Sequence, residues 1–167
     1  MKKLNNKAGF TLMEMLVSIF VLVLLVMGIG TSMDSGLKVY RESMLYSDSG
    51  NLVGTINASL EDLLRYADEV KQSSTVGVVF TNTEYGVVDA YFYTGDAYDS
   101  VGTLQLQYNN GTLDLFSEGS YPNLKIANFH ITYAEAGNYF DVNYDVLGAI
   151  DNKEVRSVRT IIRRLNS

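Results

Sequence analysis

Few of the 167 residues have the types and spacing that chemistry requires. The single histidine, His130, has no second histidine and no cysteine to complete a zinc site. Because the chain contains no cysteine, it can form no disulfide, thiolate nucleophile or Cys-ligated metal centre. Asp96 and Asp99 fall together within residues 95–100. Calcium takes about six to eight oxygens from a more regular acidic loop, so this stretch reads as an acidic turn. Ser, His and Asp are all present, but without the glycine pattern of a nucleophile elbow. No catalytic residue, metal or cofactor is expected, and the chain does not read as an enzyme. Arg156, Arg159, Arg163 and Arg164 make the C-terminal segment basic. They read as a solvated strand flank or, alternatively, as a patch that pairs with acidic groups of another chain or with phosphate.

One carboxylate stands apart. Glu14 lies inside a run from Phe10 to Met27 in which Thr11 and Ser18 are the other polar residues. A charge at the centre of a membrane span costs about 2.5–3.5 kcal/mol on insertion scales, and less near an end. An ionisable residue in such a place is expected to have a function and a partner. The elements that position it begin with residues 1–9, which carry Lys2, Lys3 and Lys7 and no acid. Positive charge on one side of an apolar span of roughly twenty residues predicts a single membrane crossing with the N-terminus inside. A secretory signal peptide has the same layout, and Gly28-Ile29-Gly30 would serve as its small-x-small cleavage site. Against that reading, the apolar run exceeds the usual h-region of roughly 7–15 residues, and Glu14 would serve no purpose in a discarded segment.

The stretch Lys7-Ala8-Gly9-Phe10-Thr11-Leu12-Met13-Glu14 resembles the processing site of type IV pilins and pseudopilins. The resemblance covers about the first thirty residues. It implies cleavage after Gly9 by a prepilin peptidase, N-methylation of the new terminus Phe10, and an assembly role for Glu14. It implies other pilin subunits and an assembly platform protein as partners, and a pilin fold. Many members staple a C-terminal loop with a disulfide; this chain must hold the equivalent region by packing.

The remaining elements follow from periodicity. Gly28, Gly30 and Gly36 come after the span, and each costs about 1 kcal/mol in a helix interior relative to Ala. They mark either a loose exit from the membrane or a point where the helix can melt. Val53, Ile56, Leu60, Leu63, Leu64 and Ala67 then recur at helical steps, predicting an amphipathic helix to about Val70. Residues 71–75 read as a polar break. Beyond it the period changes to two, with strands expected around 76–80, 88–93, 103–108, 112–116, 127–133 and 140–146. Asn109-Asn110-Gly111 is a hairpin signal because Asn and Gly accept positive φ. Residues 154–165 fit a helix or a strand, and Val, Thr and the Ile pair favour strand.

The expected organisation is thus a leader over 1–9, a transmembrane and assembly helix over 10–30, its amphipathic continuation over 31–70, and an antiparallel head over 71–167. The fold class is α+β, with the long helix packed on an antiparallel sheet. Removing Lys2, Lys3 and Lys7 from 13 basic residues leaves 10 against 19 acidic ones, a net charge of −9. That balance disfavours nucleic acid as a partner, since binding it requires neutralised phosphates. The function expected is a structural subunit of a pilus, secretion pseudopilus or DNA-uptake filament, membrane-held first and at the cell surface after assembly. The alternative is an anchored or tip-located adhesin. Tyr85, Tyr91, Tyr93, Tyr98, Tyr121 and Tyr139 would be its aromatic contacts with a glycan or protein.

Overall fold

The computed structural model describes residues 11–73, 76–94, 102–109, 111–116 and 119–165. The leader with Gly9 and Phe10, the acidic stretch at 95–100, and Asn110 lie outside the described residues. Among the described residues one α-helix, α1 (Leu12–Arg65), precedes eight strands. The strands are β1 (Glu69–Ser73), β2 (Gly77–Asn82), β3 (Val87–Thr94), β4 (Leu104–Tyr108), β5 (Gly111–Asp114), β6 (Leu124–Ala134), β7 (Tyr139–Gly148) and β8 (Glu154–Arg163). The chain divides into two compact units, Met1–Ser43 and Met44–Ser167.

In the first unit, α1 is helical without a break through Gly28, Gly30 and Gly36. A Cβ at any of these three glycines would meet nothing within 4 Å. The hydroxyls in this part turn back onto their own helix. Ser18 donates to the Glu14 carbonyl at 2.7 Å, Ser32 to the Gly28 carbonyl at 2.8 Å and Ser35 to the Thr31 carbonyl at 3.0 Å. Each of these three hydroxyls thereby finds its acceptor within the helix rather than in water.

In the second unit, Leu52, Ile56, Leu60 and Leu64 repeat every fourth residue and are fully buried. Val53 and Leu63 flank that ridge and are partly buried. Antiparallel pairing builds a five-stranded sheet in the order β1-β2-β3-β4-β5 and a three-stranded sheet in the order β6-β7-β8. An antiparallel bridge between Gly102 and Ile126 links them. The sequence reading foresaw one helix followed by antiparallel strands, and the fold is α+β as expected. It did not foresee two sheets. An aromatic chain ties them together: Phe80–Phe92 ring centroids lie 5.3 Å apart, Phe92–Phe129 5.9 Å and Phe129–Tyr144 6.2 Å.

Two boundaries differ from the sequence reading. The helix stops at Arg65 rather than near Val70, and the expected polar break is largely β1. Neither Gly nor Pro marks the stop; the last carbonyls are taken by distant groups instead. Asn82 Nδ2 donates to the Leu63 carbonyl at 2.9 Å, and the Leu165 amide donates to the Arg65 carbonyl at 2.8 Å. These acceptors are the orphans of any helix C-terminus. β1 was hidden because it is an edge strand with a mostly exposed, polar sequence, so no apolar alternation marks it. β6 shows a third departure. A bulge between Ala127 and His130, with Asn128 at φ 52°, resets the strand's phase. Leu124 and Ile126 therefore share the core with Ile131, which two-residue alternation alone would not allow.

Candidate functional site

Of the processing and assembly residues Gly9, Phe10 and Glu14, Glu14 is the one among the described residues. Thr11 precedes the first helical residue, and Glu14 follows it by three. The Glu14 amide donates to Thr11 Oγ1 at 3.2 Å, and Glu14 Oε2 accepts from the Thr11 amide at 2.9 Å and from its hydroxyl at 2.9 Å. This reciprocal arrangement is a capping box. A carboxylate three residues into the helix also faces the positive end of the helix dipole. The sequence reading took Thr11 as a polar interruption and as part of the processing-site resemblance but missed this partnership, although the T-x-x-E spacing was there to be read.

Around the box the helix surface is apolar and uncovered. Leu12, Met13, Met15, Leu16, Ile19, Phe20, Leu22 and Leu25 are all exposed. The helix is long and apolar enough to cross a membrane. An apolar surface of this extent needs lipid or other helices to cover it.

The other designated residues scatter. His130 is exposed on β6, close enough to Asp141 to act on it electrostatically. Arg159 grips Asp141 with a bidentate pair, Nε to Oδ1 at 3.0 Å and Nη2 to Oδ2 at 2.6 Å. The hydrogen bonds from Arg159 hold the Asp141 carboxyl below the usual carboxylate range. Arg164 is committed internally as well. Its Nε donates to the Ala67 carbonyl at 2.8 Å, Nη2 to the Asp68 carbonyl at 2.5 Å and Nη1 to Tyr133 Oη at 3.2 Å. Two of the four C-terminal arginines are thus occupied within the chain, while Arg156 and Arg163 lie exposed on β8. Asn57 is a further residue the sequence reading passed over. Its Oδ1 accepts from Tyr144 Oη at 3.0 Å and from Thr160 Oγ1 at 3.3 Å, joining α1 to β7 and β8.

A model of the prokaryotic N-terminal methylation motif matches residues 4–30. No curated protein and no solved structure matches the chain. The matched residues contain the capped helix start, Glu14 and the uncovered apolar surface. The chain carries the N-terminal signature of type IV pilins and pseudopilins, on an α+β fold of one long helix followed by antiparallel sheets.

Proposed function

We propose that the chain is a structural subunit of a type IV pilus or pseudopilus-like filament. A prepilin peptidase cuts after Gly9, Phe10 becomes the methylated terminus, and the helix then moves from the bilayer into a bundle of subunit helices. The basic leader keeps the uncut end on the cytoplasmic side. Glu14 pairs with the Phe10 amine of a neighbouring subunit. In a low-dielectric bundle that pair is strongly distance-dependent, while desolvation offsets much of its gain. Its value is therefore in fixing register. The observation that carries this reading is the match at residues 4–30 on a helix start whose described apolar side chains, from Leu12 to Ile29, are exposed.

The capping box gives the test its form, because Glu14 serves two ends that substitution can separate. Gln retains the hydrogen-bonding capacity of a capping-box residue but carries no charge. Glu14→Gln is expected to be processed normally, as judged by a mature terminus at Phe10, and to be depleted from sheared filaments at least tenfold. Thr11→Val removes the cap side chain and is expected to assemble. Should Glu14→Gln enter filaments as wild type does, charge pairing is not its role. A mature terminus at Thr31 would instead mean a discarded signal peptide.

A further inference from the structure

The solvent face of the five-stranded sheet carries an ordered polar array. Tyr91 and Tyr93 project from β3 with ring centroids 6.1 Å apart. In the cross-strand register Tyr91 faces Gln107 and Tyr93 faces Gln105. The next strand continues both rows, with Gln107 facing Thr112 and Gln105 facing Asp114. The opposite face of the same strands holds Phe92, Leu104 and Leu106 in the core, so the array points away from it.

The two glutamines are fixed in opposite senses. Thr112 Oγ1 donates to Gln107 Oε1 at 3.0 Å, which leaves the Gln107 amide nitrogen free to donate. Gln105 Nε2 donates to Asp114 Oδ1 at 2.6 Å, which leaves the Gln105 carbonyl oxygen free to accept. A half-buried tyrosine pair thus lies beside one oriented donor and one oriented acceptor, with Asp114 as a further acceptor at the edge.

Charge narrows the ligand. Lys71 is the only basic residue in β1–β5, and it lies within 3.6 Å of both Glu69 and Asp89. With Asp114, the face carries three carboxylates against one amine. Such a surface repels sulfate, phosphate and carboxylate groups. Aromatic faces with adjacent hydroxyl-directed donors and acceptors suit a sugar ring, whose C–H face stacks and whose hydroxyls both give and accept hydrogen bonds. The ring spacing is comparable to the length of one hexopyranose unit.

We infer that the outer face of β3–β5 binds a neutral oligosaccharide, stacked on Tyr91 and Tyr93 and hydrogen-bonded by Gln105 and Gln107. This goes beyond the assembly reading and does not depend on it, since all four named side chains belong to one chain.

The test uses the full chain in neutral detergent micelles, titrated separately with cellohexaose, chitohexaose and maltohexaose. The chain has no tryptophan, so tyrosine fluorescence and calorimetry both report directly on binding. At least one hexasaccharide is expected to bind, with affinity lowered at least tenfold in Tyr91→Val/Tyr93→Val and in Gln105→Ala/Gln107→Ala. Valine keeps the strand propensity of the first pair, and circular dichroism verifies the fold of both variants. Tyr46→Ala, at an exposed tyrosine of α1 remote from these strands in sequence, is expected to bind as wild type does. Absence of binding to all three sugars at millimolar concentration overturns the inference. So does unchanged affinity in both folded double variants, or tighter binding of heparin or of a polylysine peptide than of any neutral sugar.

Discussion

Arg164 shows how much one side chain can hold. Its planar fork reaches the carbonyls of Ala67 and Asp68 and the hydroxyl of Tyr133, all at the point where α1 gives way to β1. Hydrogen bonds to a charged group contribute about 1.5–3 kcal/mol each, and their loss is not additive. Arg164→Ala is expected to lower the unfolding free energy of the head by about 2–3 kcal/mol, measured by urea denaturation. Arg164→Lys should recover little, because an ammonium cannot reproduce the fork. Asp141 supplies a pH-dependent counterpart. Its carboxyl is held down by Arg159, so its contribution is complete above the unfolded value of about 3.9 and is lost as pH falls below it. The stability difference between wild type and Asp141→Asn should therefore shrink between neutral pH and about pH 3. These two arginines were visible in the sequence only as basic residues. Glu14 was legible because its neighbours in the chain are all it needs to stand out. Arg159 and Arg164 were not, because the groups that define them come from β7 and from the far end of α1.

At the scale of elements, Asn57 is the polar link between α1 and the three-stranded sheet's β7 and β8. Tyr144 is fully buried, and burial pushes its hydroxyl's ionisation well above the ordinary value. That hydroxyl depends on Asn57 Oδ1 for its hydrogen bond. Asn57→Ala is expected to cost about 1–3 kcal/mol in the wild-type background. It should cost measurably less beside Tyr144→Phe, a coupling that a double-mutant cycle reads directly. The glycines of the first unit give the opposite sign. With open space at Gly28, Gly30 and Gly36, replacing all three by Ala should favour the helix by about 1 kcal/mol per site. Circular dichroism of the full chain in micelles should then show helix persisting to higher temperature. Elements with a buried face were readable in advance. The alternation of Phe140, Val142, Tyr144 and Val146 in β7 is buried as expected, and residues 154–163 form a strand. The hairpin signal also lies where β4 turns into β5, with Asn109 at φ 43°. β1 and the helix stop were unreadable because pairing at a sheet edge and capping by remote groups leave no local pattern.

For the whole molecule, the division at Met44 separates two kinds of apolar surface. The described apolar side chains of the first unit are exposed, whereas the second unit buries a core that runs from Leu52 to Ile162. A chain beginning at Met44 is therefore expected to remain in solution and to unfold in a single cooperative transition with coincident fluorescence and circular dichroism curves. The intact chain should stay with the membrane fraction after a carbonate wash. The way the second unit closes has a further consequence. Its last strand is fastened by a guanidinium, three acceptors and two backbone amides, with no sulfur involved. The closure consequently has no redox history. It needs no oxidant or isomerase, it cannot be trapped by exchange with a wrong thiol, and glutathione or dithiothreitol leaves it unchanged.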